Sequence, residues 1–292
     1  MKSRIGHPLA TLGWQCALLA GILALWQFGW QLHQAVPWLV PNVLDPYFVS
    51  RPSDIWQHFL RLACFTNSNG QWNNLGDGSF NACMQKLENN IWIATAVTLR
   101  NTFFGFLTGV SSGFVLGLLL GRSDRLSAIF QPFLIAANSI PRIALAPIVI
   151  LAFGIGDASK IVTAWMIVVF LVFFNTYEGA RSVEHDHISV ARLLGASEWQ
   201  IMRTVIIPST MAWLFASLTP AISFSLIGVI VGEFIGAEHG IGRMIIEAES
   251  RAEASGMMVA VIVLMIVGII LAHFVKRLQD HLLRWRPRSA GI

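Results

Sequence analysis

Charge is what this chain has least of: 12% of its 292 residues are Asp, Glu, Lys or Arg, against 55% hydrophobic. A water-soluble globular fold is excluded, because a domain of that length cannot cover so much apolar surface; a membrane protein is implied. Nucleic acid is excluded as a partner as well. The 20 Lys and Arg, with a formal charge of +4, collect at the ends of apolar runs instead of forming a basic stripe. Catalytic signatures are also missing: there is no G-x-x-x-x-G-K-[S/T] phosphate cradle, no H-E-x-x-H zinc spacing and no G-x-S-x-G nucleophile elbow. No catalytic or metal-ligating residue is therefore assigned, and no cofactor is expected in this chain. His185 and His187 form the nearest thing to a ligand pair, and solvated surface imidazoles account for them more simply. Cysteine is scarce, with three in all. Cys16 lies in the first apolar run, while Cys64 and Cys83 share a loop, either as a disulfide suited to an oxidising compartment or as two unpaired thiols.

What is present is a series of long apolar runs. A bilayer-crossing helix needs about 20 mostly apolar residues, and six stretches qualify: about 12–30, 97–120, 128–153, 158–178, 205–235 and 257–275. The first follows Lys2 and Arg4 as a secretory signal would, but Trp26, Phe28 and Trp30 stand where a cleavage site should close it, so it is expected to remain as a helix. With the N-terminus inside, the inner segments hold twelve basic residues: Lys2, Arg4, Arg122, Arg125, Arg181, Arg192, Arg203, Lys276, Arg277, Arg284, Arg286 and Arg288. The outer segments hold six: Arg51, Arg61, Lys86, Lys160, Arg243 and Arg251. This asymmetry predicts both termini in the cytoplasm. Three stretches are expected: 1–96, with the first helix and a long outer loop; 97–280, the transmembrane body; and 281–292, a basic tail.

Within the body, Gly105, Gly109, Gly113, Gly117 and Gly121 recur every fourth residue. On a helix they leave a strip without side chains against which another backbone can pack closely. Pro141 and Pro147 each remove a backbone donor, so the third run should be kinked or locally unwound there. Asn138, Ser139 and Arg142 flank that break, and a cation at membrane depth is expected to face a cavity, a partner or the interface. Asn138 and Arg142, with Thr219 and Ser223 on the fifth run, are the candidates for a translocation path. Glu233 is treated like Arg142, and Arg100 is expected to snorkel.

The segment between the fourth and fifth runs is wet and inner. Asp186 is a candidate cap for a short helix on which Val190, Leu193 and Leu194 share a face, and Gly195 should end it. Ser197 and Gln200 then fit the S-x-x-Q capping box of a second helix carrying Trp199, Met202, Val205 and Ile206 up to Pro208. The small residues Ala191, Gly195, Ala196 and Ser197 make a compact knuckle, suited to a groove in a soluble partner.

The sequence "LGAS", an aromatic residue and then "VIIP" resembles the cytoplasmic EAA loop of ABC-importer permeases. "VSRPSDIW" at 49–56, "IALAPIVILAFGIGDASKI" at 143–161, "GEFIGAEHGIGRMI" at 232–245 and "LLRW" at 282–285 extend the likeness to the nitrate, sulfonate, taurine and bicarbonate branch of type I permeases. The resemblance covers about 49–285. It implies an all-α, six-helix type I permease fold, N-in and C-in, in a bacterial cytoplasmic membrane. It also implies a second permease subunit, an external solute-binding protein and a cytoplasmic ATPase dimer that holds ATP and Mg and moves the docked loops. On this likeness the coupling loop spans about 184–208. Asp186, Ser189, Val190, Ala191, Arg192, Leu194, Gly195 and Ala196 would contact the ATPase, with Ala191 and Gly195 matching the motif's second Ala and its Gly. Ser189 stands where the motif has its acid and Val190 where it has the first Ala. Ser217 and Thr219 replace a Gly and an Arg usual in the branch, and Arg142 could restore a positive charge. The cargo implied is a small solute, with a sulfonate, nitrate or related organic anion among the candidates. The competing classes are an ion-driven carrier, for which no convincing internal repeat is found, and an intramembrane enzyme, for which no catalytic constellation is found.

Overall fold

The computed structural model describes residues 8–35, 49–67, 70–73, 79–85 and 90–284. Lys2, Arg4, Lys86, Arg286 and Arg288 lie outside the described residues, as do Trp285 of "LLRW" and the rest of the basic tail. The elements are α1 (Pro8–Ala35), α2 (Pro52–Leu62), α3 (Ser79–Met84), α4 (Ile91–Arg122), α5 (Asp124–Ser139), a 3-10 turn (Arg142–Leu145), α6 (Ala146–Phe153), α7 (Asp157–Arg181), α8 (His185–Leu193), α9 (Glu198–Ile201), a π turn (Met202–Ile206), α10 (Ile207–Ile235), α11 (Ile241–Ser250) and α12 (Ala254–Leu282). No strand occurs among the described residues.

Among the described residues, five continuous helical stretches are long and apolar enough to cross a bilayer, and α5 with the Arg142–Phe153 segment, bent by 80°, makes a sixth crossing if taken as one span. The bend falls at one proline, not two. Ile140, which precedes Pro141, is extended at φ −71° and ψ 131°, as the steric demand of a following proline ring requires. Pro147 instead sits in the first turn of α6, where its missing N–H has no helical partner to lose. Ser123 begins α5 by accepting the Leu126 amide at 3.3 Å.

The chain divides into two compact units, Met1–Trp92 with Met244–Val263, and Ile93–Arg243 with Leu264–Ile292. In the first, α1 exposes Leu12, Trp14, Leu18, Leu19 and Ile22, the pattern of a helix whose solvent is lipid. Gln27 on α1 accepts the Ser53 amide at 3.1 Å, next to Pro52, which opens α2. Ile55, Ala63, Ile91 and Val259 form the local core, with Trp26, Phe59 and Met258 against it. Ser50 and Ser255 hydrogen-bond at 2.7 Å, and His58 Nδ1 lies 3.2 Å from the Glu253 carboxylate. Burial lowers the His58 pKa from its usual 6.5; Glu253 opposes that shift and Arg61 adds to it. Cys64 and Cys83 are disulfide-bonded, with Cα atoms 5.8 Å apart, which closes one of the two readings of that loop. Cys16 is a free thiol.

In the second unit the glycine strip of α4 lies on α7. A Cβ on Gly109 would stand 2.6 Å from Val168 Cβ, one on Gly113 2.7 Å from the Val169 carbonyl oxygen, and one on Gly121 2.7 Å from Ala180 Cβ. From α10, Gly228 and Gly232 approach the α7 backbone at Ala164 and Lys160 in the same way. Small residues on both neighbours therefore clasp α7, and the gain is dispersion contact between backbones, the interaction that lipid tails do not already supply. Val168, Val172, Leu214, Leu218, Ile222 and Val275 fill the core beside this contact.

Candidate functional site

The wet segment folds as helix, turn, helix. Asp186 does not cap α8: the N-cap is Glu184, with no side-chain cap bond, and Asp186 lies within the first turn, where a carboxylate still meets the positive end of the helix dipole. The other end follows the glycine rule. Gly195 has φ +79°, its amide bonds to the Arg192 carbonyl at 2.9 Å, and the Ala196 amide reaches back to Ala191 at 3.1 Å. This is the paired closure of a Schellman motif, which needs a left-handed residue. The capping box is present in both directions, with the Ser197 amide donating to Gln200 Oε1 at 2.7 Å and the Gln200 amide to Ser197 Oγ at 3.3 Å. Beyond it the helix does not stop at Pro208. The Ile207 amide bonds to the Met202 carbonyl, five residues back, and the chain passes through this π turn into α10, absorbing the proline as an irregular turn absorbs a missing donor.

The knuckle has an inside and an outside. Ile188 is buried with Ala180, Val183, Ile201 and Ile206, while Ala191 and Ala196 pack half-buried against them. Ala191 and Ala196 thus hold the loop to its own chain. Asp186, Ser189, Val190, Arg192, Leu194 and Gly195 are exposed. So is Leu193, at 86%, with Leu194 at 82% and Trp199 at 71%. Trp199 lies outside the contact segment expected from the sequence, which favoured small residues; the available signal was an apolar side chain with no inward face to fill. Glu198 spans the turn. Its Oε1 accepts Nε and Nη2 of Arg192 at 3.1 and 2.9 Å, and its Oε2 accepts Nη2 of Arg122, in the last turn of α4, at 2.6 Å.

The four path candidates fall into two pairs. Arg142 donates to the Asn138 carbonyl at 3.1 Å and to its side-chain oxygen, and its guanidinium lies 4.9 Å from the centre of the Phe170 ring. Thr219 and Ser223 are one turn apart on α10, and Thr219 donates to Gln279 Oε1 at 3.4 Å. A cavity of about 70 Å³ lined by Leu120, Ser127, Gln131, Phe173 and Tyr177 among others falls well short of the roughly 300 Å³ at which small-molecule pockets begin.

Two charged residues have structural partners. Arg100 pairs with Asp157, which also accepts Asn101 Nδ2 at 2.9 Å and lies 4.0 Å from Lys160 Nζ. Glu233, 2% exposed, accepts the Thr98 hydroxyl at 2.8 Å and the Gly242 amide at 2.8 Å, while Thr98 Oγ1 accepts the Ile241 amide at 3.0 Å. The carboxylate caps the Gly242 amide and the hydroxyl it holds caps the Ile241 amide, the first amides of α11, which otherwise lack helical acceptors. No group of three or more His, Cys, Asp or Glu able to hold a metal ion occurs among the described residues.

A polytopic helical protein with tightly packed small-residue helices, a bent span and a wet helical knuckle belongs to the class of transport permeases. Residues 113–285 match the family described as "binding-protein-dependent transport system inner membrane component", and the chain belongs to that family. It is similar to a probable ABC transporter permease protein of Haemophilus influenzae, 33% identical over 62% of this chain and 74% of the relative. It is also similar to a putative aliphatic sulfonates transport permease of Bacillus subtilis, 30% identical over 67% and 71%, and to the taurine transport system permease of Escherichia coli, 24% identical over 93% and 90%. In fold it is similar to a chain of the MetNI methionine ABC transporter in an inward-facing conformation, with a TM-score of 0.55, 22% identity and coverage of 66% and 94%. The chain is a multi-pass permease subunit of an ATP-driven, binding-protein-dependent importer, in the branch resembled by its motifs.

Proposed function

We propose that α8 is the helix through which a cytoplasmic ATPase dimer drives this permease. The observation that carries the reading is the exposed patch of Val190, Leu193 and Leu194 on a short helix whose opposite face, Ile188 and Ala191, is fixed to its own chain. Left in water, two leucines cost what their burial would return, about 1.5–3 kcal/mol each; seated in a partner's groove, they become the anchor. ATP and Mg belong to that partner. Both termini are cytoplasmic, in a bacterial inner membrane, and the disulfide-bonded loop faces the oxidising side where a solute-binding protein delivers cargo. A second copy of this chain completes the path, which the small cavity within one chain is consistent with. The cargo is a small organic anion of the sulfonate class, met by Arg142 at the bend with Asn138, Thr219 and Ser223 along the way. Leu193→Asp should leave the protein folded and inserted while abolishing co-purification of the ATPase. Full recovery of the complex would refute the docking assignment.

A further inference from the structure

We propose that Glu198 is the positioning residue that presents α8 to its partner at a fixed angle, by tying Arg192 at the end of α8 to Arg122 at the end of α4. The proposal rests on the reading that α8 carries the ATPase. α8 is joined to its neighbours by two short links, Ser182–Glu184 and the glycine turn. The apolar contacts of Ile188 and Ala191 fix how deeply the helix sits, but such contacts have no direction and restrain rotation about the seat only weakly. Glu198 supplies direction. Each carboxylate oxygen serves one arginine, Oε1 at 2.9 Å to Arg192 and Oε2 at 2.6 Å to Arg122. The capping box at Ser197 and Gln200 holds the backbone that aims it.

Glu198 is 64% exposed, so the bridge adds little to stability. Its effect is on the range of orientations α8 samples before the partner arrives, and a helix that occupies its binding pose only part of the time binds more weakly by that fraction. Arg122 carries the other end of the bridge onto α4, whose glycine strip lies on α7. A displaced α8 therefore pulls on a packed pair of membrane helices through a charge-assisted contact as well as through the connecting chain.

The test places spin labels at Ser189→Cys and Leu116→Cys in a Cys16→Ser background, leaving the Cys64–Cys83 disulfide intact, with the protein in nanodiscs and no partner added. The parent should give a narrow α8–α4 distance distribution, broadened in Glu198→Gln, in Arg122→Gln and in Arg192→Gln. Titration with the ATPase subunit that co-purifies with the chain should show Kd about fivefold weaker for Glu198→Gln, the lower end of ordinary coupling between sites. Glu198→Gln with Arg122→Gln should bind no more weakly than either alone, because both remove one contact. An unchanged distribution in Glu198→Gln overturns the proposal. So does broadening in Glu198→Gln with both arginine variants at parental width, since the carboxylate would then act through its own helix end alone. Parental affinity in Leu193→Asp would sink the docking reading, a failure the distance measurement does not share.

Discussion

The sharpest consequence of the packing is that one methyl group at Gly113 should be harmful, and the same methyl on α1 should not. A Cβ at position 113 would lie 2.7 Å from the Val169 carbonyl oxygen and 3.1 Å from the Phe173 nitrogen. Both are backbone atoms in the interior of α7, so no side-chain rotation relieves the contact. Ordinary carbon-to-carbonyl contacts begin near 3.3 Å, so α4 must move away by about 0.6 Å, and a gap of that size forfeits about a quarter of each dispersion contact along the strip. Overpacking of this kind costs about 1–3 kcal/mol. The better helix propensity of alanine, about 1 kcal/mol at most, runs the other way and leaves a net loss of up to about 2 kcal/mol. Gly21 on α1 has nothing within 4 Å of its would-be Cβ, so Gly21→Ala keeps the propensity gain and meets no clash. Thermal unfolding in one detergent, followed by tryptophan fluorescence, should show Gly113→Ala melting below the parent and Gly21→Ala at or above it. At about 2–4 °C per kcal/mol for a chain of this size, the separation is measurable. Equal midpoints for both variants would mean that the strip faces lipid, and the clasp around α7 would have to be abandoned.

Other expectations follow from single contacts. The depressed pKa of His58 means that the unfolded chain binds the proton more readily, so this group's stabilising contribution is present above pH 6.5 and is lost as pH falls below it; His58→Asn should flatten that part of a melting profile taken from pH 8 to 5. Cleaving the Cys64–Cys83 link releases two residues 19 apart in sequence and should cost about 3 kcal/mol by loop entropy. In intact spheroplasts a membrane-impermeant reductant should expose both thiols to maleimide, whereas thiols that stay closed would place the loop on the cytoplasmic side. Glu233→Gln keeps the shape but can turn an amide donor toward the Gly242 N–H, costing about 1–3 kcal/mol, and should speed hydrogen exchange at Ile241 and Gly242; unaltered exchange there would deny the carboxylate its capping role. Arg142→Ala should preserve assembly and impair uptake of an anionic solute such as an alkanesulfonate without an amine, and parental uptake would take Arg142 off the path.

What could be read from the sequence was whatever depends on neighbours in the chain. The apolar runs, the left-handed Gly195, the Ser197–Gln200 capping box and the four-residue glycine spacing are set within a few residues, by helix period and backbone sterics. The proline break was half legible. Pro141 and Pro147 looked equivalent because each lacks a donor, but only Pro141 stands where a helix would have used one. Asp186 was misplaced by a similar margin, since a helix start shifted by two residues turns a cap into a first-turn charge. The pairings of Glu233 with Thr98, 135 residues away, and of Glu198 with Arg122, 76 residues away, leave no local pattern. Nor does spacing say which helix the glycines meet.

Stiff and yielding parts of the second unit follow from the same backbone chemistry. α7 is held through close backbone contacts from α4 and α10, and interfaces of this kind are lost in steps, because there is no soft side chain to deform. On the proposed reading of α8 as the ATPase-coupled helix, motion imposed on it is taken up where the backbone already departs from the α-helix. The structure has two such places among its described membrane segments, the 80° bend after Ile140 and the π turn at Met202–Ile206. The π turn lies between the knuckle and α10, directly in line with any force from α8, and its wide hydrogen bonds can exchange for α-helical ones with a rotation of the preceding turn. Pro208 prevents that exchange from spreading smoothly into α10, because it offers no amide to take over the released carbonyl. The irregular turn and the proline together confine the adjustment to Met202–Ile206 and deliver what remains to α10 as a rigid displacement.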